Sequence, residues 1–308
     1  MGLGKGNMKK YKEYDKCNLC PRECGAQINN NKKGICGTAN QIIVARAALH
    51  YWEEPCISGE KGSGAVFFGG CNLHCVFCQN QEISCGQSGK VIDESRLAEI
   101  FLELMEKGAN NINLVTPGHY LPQIISAVEK ARNQGMNLPI VYNCGGYEKV
   151  DSIRRLEGIV DVYLPDFKYF SSDISQKYSN AKDYAQVAKL AIEEMVRQQN
   201  KCVFDQQKII KKGVIVRHLL LPGCLKDSKK VIRYLYSKYG DNIFISLMSQ
   251  YTPLAHVQKY KELNRRVTNR EYNQLVNYAL ELGVINGFTQ DREVASESFI
   301  PYFDETGV

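Results

Sequence analysis

The sequence predicts an α/β protein with a largely parallel sheet. Along most of the 308 residues, short apolar and β-branched runs alternate with longer segments of helical periodicity. Six such β/α units can be read, and their strand segments are almost continuously apolar. Strands of this kind are buried on both faces, as in a parallel sheet that helices cover on both sides.

The strand segments follow one another with helices between them. The first, 64–70 (GAVFFGG), ends at a pair of glycines, and Asp93 then caps a helix whose apolar stripe ends near Gly108. Further strands are expected at 111–115, 139–143, 160–167, 213–221 and 242–248. Further helices are expected at 121–134, 150–156, 183–198, 227–239, 256–265 and 269–282.

Polar residues follow nearly every predicted strand. In β/α architectures the residues just past the carboxyl ends of the strands face the reaction site. Any one of these groups could be a turn or a cap, but their recurrence predicts a site at this edge of the sheet. Besides a cysteine loop after the first strand, they are Thr116 to His119, Asn143 to Tyr147, Asp166 to Lys168, Arg217 with His218, and Ser249 to Tyr251.

The cysteine loop (Cys71–Cys78) has the spacing C-x3-C-x2-C, in the run GGCNLHCVFCQN. Its three thiolates, Cys71, Cys75 and Cys78, can hold three irons of a [4Fe–4S] cluster, because such clusters are ligated by cysteine sulfur. No fourth cysteine is required nearby, which leaves one iron open to a small molecule. A zinc knuckle or three buried thiols are the alternatives.

A second set of cysteines lies near the amino end. Cys17, Cys20, Cys24 and Cys36 have the spacing C-x2-C-x3-C-x11-C, and two of them precede glycines. This set suits a four-thiolate site, either a structural zinc that folds a small segment or an auxiliary [4Fe–4S] cluster. Cys56, shortly before the first strand, could be a further ligand or a substrate thiol.

Composition excludes several other classes of protein. No run of 18 apolar residues is present, and the first residues lack the apolar core of a signal peptide, so we expect a cytoplasmic protein with no membrane span. Twelve cysteines in such a protein indicate metal or cluster ligation rather than disulfides. The net charge of +6 is spread along the chain without a basic stripe, so no nucleic-acid partner is expected.

The cysteine loop, with an aromatic residue before its last cysteine, resembles the signature of the radical S-adenosylmethionine (SAM) superfamily. Over residues 17 to about 253 the chain is similar to the pyruvate formate-lyase activating enzyme-like iron–sulfur proteins. That resemblance implies a partial (β/α)6 barrel at 57–308, preceded by a Cys-rich extension at 1–56. The motifs that carry it are EEPCISGEKGSGAVFFGGCNLHCVFCQNQEIS, NINLVTPGHY, PIVYNCGGYE, VDVYLPDFKY, IVRHLLLPG and MSQYTP.

The resemblance also implies a chemistry. The three cysteines of the cysteine loop would ligate the catalytic cluster, whose open iron binds the amino and carboxyl groups of SAM. Reduction of the cluster, by a donor such as flavodoxin or ferredoxin, then cleaves SAM to a 5′-deoxyadenosyl radical. The backbone of Phe77 would contact the adenine of SAM.

Further residues are assigned to SAM by the same resemblance. Asp166 and Lys168 match the Asp-x-Lys of the activases, where the carboxylate binds an ammonium or ribose hydroxyls and the lysine binds the SAM carboxylate. A strand-end ion pair is the alternative. Asn143 is expected beside them. Arg217 matches a SAM-binding arginine, and we favour it over His218, which alternates to the opposite face of the strand.

Two departures from the family pattern stand out. The loop from Thr116 to Gly118 is expected to contact SAM where many superfamily members have Gly-Gly-Glu, but this chain lacks that glutamate. Activases also have a histidine near the end of the sixth strand, where this chain reads LMSQYTP. Either His119 replaces that histidine or the substrate differs.

Three functions are compatible with these residues. The first is a radical SAM enzyme that takes hydrogen from a protein or peptide, such as the glycine of a glycyl-radical enzyme. The second is the same chemistry on a small molecule. The third is an iron–sulfur electron-transfer protein without catalysis, which would leave Asp166, Lys168 and Arg217 unexplained.

Overall fold

The computed structural model describes residues 10–86, 88–290 and 301–308. Ten strands within this part of the chain form one sheet. They are β1 (Ile42–His50), β2 (Ser63–Phe68), β3 (Lys90–Ile92), β4 (Ile112–Val115), β5 (Ile140–Cys144), β6 (Val162–Pro165), β7 (Val203–Phe204), β8 (Ile210–Leu219), β9 (Phe244–Met248) and β10 (Gly287–Thr289).

Seven of these strands form a continuous parallel array. Their order is β2, β4, β5, β6, β8, β9 and β10, and each pairs with the next in parallel. At the β2 side, β1 pairs antiparallel with both β2 and β3, and β7 forms an antiparallel pair with β8. The predicted α/β class and its central parallel sheet are therefore confirmed.

Helices connect the parallel strands in the way that such a sheet requires. Asp93 caps α3 through its side chain, which accepts a hydrogen bond from the Arg96 amide. The described helices are α1 (Pro55–Ser58), α2 (Gln81–Ser84), α3 (Glu94–Glu106), α4 (Leu121–Asn133), α5 (Val150–Arg154), α6 (Ser172–Ser179), α7 (Tyr184–Gln198), α8 (Leu225–Tyr239) and α9 (Asn269–Glu281).

Both faces of the parallel strands are buried. Side chains such as Tyr142 and Tyr163 belong to the large core beneath the helices. Their neighbours along the strands, Val141 and Val162, face the other way into a second apolar cluster, which Ile57 of α1 joins. A third cluster, which includes Phe67 and Val115, contains further buried side chains of the strands.

The structure differs from the sequence expectations in several places. Residues 256–265 do not form a helix but a short 3₁₀ turn, Ala255–Val257, followed by further turns. The sheet also contains β1, within the expected Cys-rich extension, and β10, neither of which was expected as a strand. Closure into a (β/α)6 barrel and the domain division at residue 57 stay predictions. None of the described helices is long and apolar enough to cross a membrane.

Candidate active site

A cavity of about 270 Å³ lies at the carboxyl edge of the parallel strands. The strand register aligns Phe67 with Val115, and Val115 with Asn143, so the loops that follow these strands meet there. All ten residues that the sequence assigned to the cluster and SAM line this cavity. They are Cys71, Cys75, Cys78, Phe77, Thr116, Gly118, Asn143, Asp166, Lys168 and Arg217.

The cysteine loop turns sharply away from β2. Gly70 has a φ of +93°, and His74, which is not a glycine, also has a left-handed backbone with a φ of +49°. The amide of Cys78 donates to the carbonyl of Cys75 at 3.0 Å, which closes a turn around Phe77. The ring of Phe77 is buried and packs edge-on against two tyrosines, so the loop is anchored by its aromatic residue.

The thiols of the cysteine loop lie in a partly buried and partly cationic environment. Burial, and then the neighbouring thiols, raise the pKa of Cys71 to about 11 and that of Cys78 to about 12. Lys168 opposes this shift at both positions. The thiolates therefore need a metal partner, and a nearby lysine suits the negative charge that thiolates bring to a cluster.

These three cysteines fit a [4Fe–4S] cluster better than a single ion. Within the described residues, no group of three or more His, Cys, Asp or Glu side chains is gathered so that it could hold one metal ion. In a cluster each cysteine sulfur binds a different iron, so the sulfurs need not converge on one point. Three thiols that open onto one cavity meet that requirement.

An ion-pair network occupies the wall opposite the cysteine loop. The guanidinium of Arg217 donates from Nε to Asp166 Oδ1 at 3.0 Å and from Nη1 to Glu53 Oε2 at 3.1 Å. Its Nη2 also donates to Asn143 Oδ1 at 2.6 Å. Lys168 Nζ donates to Asp166 Oδ2 at 2.5 Å. Two cations and two carboxylates are thus paired in a largely buried row.

The network sets the charge states of its members. Burial acts to raise the pKa of Asp166, but the charges of Lys168 and Arg217 outweigh burial and lower that pKa. Burial acts in the opposite direction on Lys168, and the attraction of Asp166 raises the pKa of Lys168. Asp166, Lys168 and Arg217 are therefore charged at neutral pH.

A third carboxylate approaches the loop after β4. Thr116 has a φ of +60°, which is strained for a β-branched residue, and its amide donates to the Asn143 carbonyl at 2.8 Å. Two residues later, a Cβ on Gly118 would lie 2.6 Å from Oε2 of Glu148. Burial raises the pKa of Glu148 to about 8, so this side chain is protonated in the cavity at neutral pH.

Sequence reasoning missed both Glu53 and Glu148. Glu53 reaches the cavity from the loop between β1 and α1, where its Oε1 accepts from the amides of Asn113 and Asn143 at 3.0 and 3.3 Å. Glu148 follows the Gly145-Gly146 turn after β5. The one available signal for each was an acidic residue within a quoted motif, EEPC and CGGYE.

The four amino-terminal cysteines also come together. Cys17, Cys20, Cys24 and Cys36 line one small cavity of about 20 Å³, which His119 also lines. Burial raises the pKa of Cys17 to about 11 and that of Cys20 to about 12. His119 lines both this cavity and the larger one, and its Nε2 lies 2.8 Å from the Gly69 carbonyl oxygen.

Other residues singled out in the sequence lie elsewhere. Cys56 packs in the apolar cluster around α1 and does not line the cavity of the cysteine loop. His218 is buried behind β8, with Nδ1 at 2.7 Å from the Phe167 carbonyl oxygen. Arg217, its neighbour, is the one of the two that faces the cavity.

Burial lowers the pKa of His119 to about 4, so its ring is neutral.

Comparison with known proteins finds a superfamily match over part of the chain. Residues 65–205 match the Radical SAM superfamily. The uncharacterized protein MJ0674 of Methanocaldococcus jannaschii is 29% identical over 276 residues, which cover 87% of this chain and 74% of that protein.

Two solved structures are more distant. SuiB of Streptococcus suis bound to the precursor peptide SuiA matches with a TM-score of 0.49 and 13% identity, over 73% of this chain. This chain spans less than half of the SuiB chain, 47%. Methylornithine synthase (PylB) matches with a TM-score of 0.40 and 12% identity, over 71% of this chain and 68% of that one.

The superfamily match begins within β2 and includes the cysteine loop and the strands through β7. Within this segment, three cysteine thiols and the charged side chains of Asp166 and Lys168 line the same cavity. The match over residues 65–205 therefore supports a radical SAM domain, and with it an enzyme with a [4Fe–4S] cluster and SAM as cofactors.

Proposed function

We propose that this protein takes a hydrogen atom from a protein or peptide substrate, as pyruvate formate-lyase activating enzyme-like proteins would. The observation that carries the proposal is the convergence of three cysteine thiols and a charged network, Asp166, Lys168 and Arg217, on one cavity. An electron-transfer protein would have no use for that network. The proposed electron donor is a flavodoxin or a ferredoxin.

The cysteine loop would hold the cluster through Cys71, Cys75 and Cys78. A reduced cluster held there would supply one electron for the cleavage of SAM into methionine and a 5′-deoxyadenosyl radical. The task of the chain is to orient SAM and to keep water away. The buried Phe77 ring holds the loop in place, so its backbone can support the adenine.

The charged wall would bind the amino-acid part of SAM. Lys168 and Arg217 supply positive charge for the SAM carboxylate, and Asn143 keeps the guanidinium in position. Glu148 lies against Gly118, in the loop where this chain lacks the Gly-Gly-Glu glutamate. We assign to Glu148 the role of that missing carboxylate, which pairs with the SAM ammonium. A cation at this position favours the ionised form of the carboxyl group.

The size of the cavity favours a large substrate that approaches from outside. Pockets that enclose a small ligand measure roughly 300–1,000 Å³, and this cavity measures about 270 Å³. A cluster and SAM would fill it, so the reacting atom has to arrive at the rim. There Trp52 lines the cavity and is 59% exposed. Exposed aromatic side chains are frequent anchors for protein partners.

The first experiment is anaerobic reconstitution with iron and sulfide, reduction, and assay of 5′-deoxyadenosine after SAM is added. We expect product from the wild type and none from Cys75→Ala. Cys202→Ala is the matched control, because this thiol lies at β8 away from the cavity and should leave the yield unchanged. If the reduced cluster is intact and no 5′-deoxyadenosine forms, the proposed enzymatic activity is refuted.

The second experiment addresses the substrate. A glycyl-radical protein, with its glycine α-carbon deuterated, is added to the reduced enzyme and SAM. Transfer of deuterium into 5′-deoxyadenosine would support the activase-like function. A yield that responds to small molecules and not to candidate proteins or peptides would favour the small-molecule alternative.

A further inference from the structure

We propose that the hydroxyl groups of Tyr169 and Ser179 form a relay of hydrogen bonds to the sulfur of Cys75, and that this relay makes the cluster easier to reduce. Both are positioning residues, because they would act through the sulfur and do not line the cavity. The inference rests on the proposed cluster at the cysteine loop. It deepens the proposed function by assigning control of the reduction potential to two side chains behind that loop.

The relay ends at the middle cysteine of the loop. The Ser179 hydroxyl donates to Cys75 Sγ at 3.0 Å. The first cysteine receives a longer contact, from the Leu73 amide to Cys71 Sγ at 3.4 Å. Ser179 is buried, so bulk water does not compete with the sulfur for its proton. The middle cysteine therefore has a short contact with a side-chain donor.

The chemistry of the three groups fixes the direction of donation. A cysteine sulfur that ligates metal is a thiolate, so it can accept a hydrogen bond but not donate one. A serine hydroxyl has one proton, and Ser179 has to give it to Cys75. Tyr169 Oη lies 2.6 Å from Ser179 Oγ, so the tyrosine is the donor of that pair. The order of donation is Tyr169 to Ser179 to Cys75.

Backbone contacts attach the end of α6 to the cysteine loop. The Val76 amide donates to the Tyr178 carbonyl at 2.9 Å, so the loop is bonded to the residue before Ser179. Arg22 bridges the same two elements, since its Nη2 donates to the Ser179 carbonyl at 2.9 Å and its Nε to the Asn72 carbonyl at 2.8 Å. These bonds fix the separation of α6 and the loop, which keeps the serine hydroxyl beside the sulfur.

Tyr169 is held by packing. It is fully buried, and its ring lies edge-on to Phe77 of the cysteine loop, with 6.3 Å between the ring centroids. A second edge-on contact, at 5.2 Å, is made with Tyr184. Both donors of the relay are thus oriented before any electron arrives, so they need no rearrangement when the charge of the site changes.

The relay acts on the difference between the oxidised and reduced forms. Hydrogen bonds to the ligating sulfurs are among the features that set the reduction potential of an iron–sulfur cluster. An added electron makes these sulfurs better acceptors, so a donor stabilises the reduced form more than the oxidised form. Hydrogen bonds joined in a buried chain also strengthen one another. The relay therefore raises the reduction potential, which favours electron transfer from a flavodoxin or a ferredoxin.

The test is a redox titration of the reconstituted protein without SAM, followed by electron paramagnetic resonance of the reduced cluster. Ser179→Ala should lower the equilibrium constant for reduction about tenfold, the lower end of the effects that hydrogen-bond partners of metal ligands have. For one electron, that is a midpoint potential lower by about 59 mV. Tyr169→Phe should shift the potential in the same direction by less, because it removes the donor behind the serine and leaves the serine in place.

Two matched controls remove the same groups elsewhere. Ser175→Ala removes a buried hydroxyl one turn earlier on α6, where it donates to the Ser172 carbonyl at 3.1 Å. Tyr163→Phe removes a hydroxyl that donates to Gln198 Oε1 at 2.5 Å, from a tyrosine that is also fully buried. Both controls should keep the wild-type potential.

A wild-type potential in both Ser179→Ala and Tyr169→Phe would overturn the relay. An equal shift in Ser175→Ala would also overturn it, because the packing of α6 would then account for the effect. If Ser179→Ala does not retain a cluster, Tyr169→Phe and its control decide alone.

The outcomes separate this inference from the proposed function. With dithionite as reductant, Ser179→Ala should form less 5′-deoxyadenosine than the wild type, and titanium(III) citrate, a stronger reductant, should restore the yield. A yield that stays low with both reductants would overturn an effect through the potential. A wild type that forms no 5′-deoxyadenosine with either reductant would refute the proposed function, and the potentials of the variants would still decide on the relay.

Discussion

Replacing Glu148 tests whether the cavity shifts the pKa of a buried carboxyl group. It is buried, and burial raises the pKa of its carboxyl group from 4.5 to about 8. Replacement by glutamine, Glu148→Gln, keeps the shape and removes the titration. The pH dependence of the free energy of unfolding should therefore differ between variant and wild type.

The sign follows from which state holds the proton. Between pH 4.5 and about 8 the folded protein keeps the Glu148 proton and the unfolded chain has lost it, so stability falls as pH rises. Above the folded pKa both states are ionised and the dependence stops. With about 1.36 kcal/mol per unit, the wild type should lose about 3 kcal/mol between about pH 5.5 and about pH 8.5 through this group.

The measurement is urea unfolding of both proteins at several pH values under anaerobic conditions. The free-energy difference between Glu148→Gln and the wild type should rise by about 3 kcal/mol over that range in favour of the variant. Glu129→Gln, at an exposed position on α4, is the control and should give a difference that does not change with pH. A flat difference for Glu148→Gln as well would show that the carboxyl group ionises normally.

Three further outcomes are expected from urea unfolding at neutral pH. Arg217→Met leaves two buried carboxylates without their cation and should lower the free energy of unfolding by about 3–5 kcal/mol. The double variant with Glu53→Gln should recover part of this loss. If the effects of the two substitutions simply add, the pairing is contradicted. Gly118→Ala places a Cβ 2.6 Å from Glu148 Oε2 and should lower the free energy of unfolding by about 1–3 kcal/mol. A substitution that leaves stability unchanged would mean that the Glu148 carboxyl group does not lie against Gly118. Thr268→Ala removes the capping box of α9 and should lower the free energy of unfolding by about 1 kcal/mol. SAM binding should not change. A change in SAM affinity would contradict the separation of α9 from the site.

The parts of the site that the sequence predicted share one property. Each lies near the carboxyl end of a parallel strand or just after it, as Thr116, Asp166 and the cysteine loop do, and the carboxyl ends of parallel strands meet at one edge. A pattern read from residues that are near in sequence therefore predicted that distant segments of the chain lie close together in the fold. Glu53 does not obey this rule, because it enters the cavity from the loop after β1, a strand that runs antiparallel to β2.

The absence of the expected helix at 256–265 is explained by the spacing of the buried residues. Val257 and Leu263 are fully buried, with the partly buried Tyr260 midway between them. This period of three matches a 3₁₀ turn rather than the 3.6 residues of an α-helix. The amides of Tyr260 and Leu263 accordingly donate to carbonyls three residues back, at 2.8 Å each. Apolar content alone did not distinguish the two periods.

The charged wall also distinguishes its two cations. Arg217 already donates to three side chains, Glu53, Asp166 and Asn143, whereas in the described part of the chain Asp166 is the hydrogen-bond partner of Lys168 Nζ. An ammonium group has three donors, so Lys168 has capacity for the carboxylate of SAM. Asp166 would keep Arg217 as its partner if the lysine were lost.

Lys168 and Arg217 should therefore fail in different ways when each is replaced by methionine. Lys168→Met should weaken SAM binding to the reconstituted protein by about tenfold or more, as the loss of a charged hydrogen bond of about 1.5–3 kcal/mol implies, with little loss of stability. Arg217→Met should lower stability first, because two buried carboxylates lose their counter-charge. Equilibrium binding of SAM and urea unfolding, measured on both variants, separate the two effects. A Lys168→Met protein that binds SAM like the wild type would show that the SAM carboxylate is held by other groups.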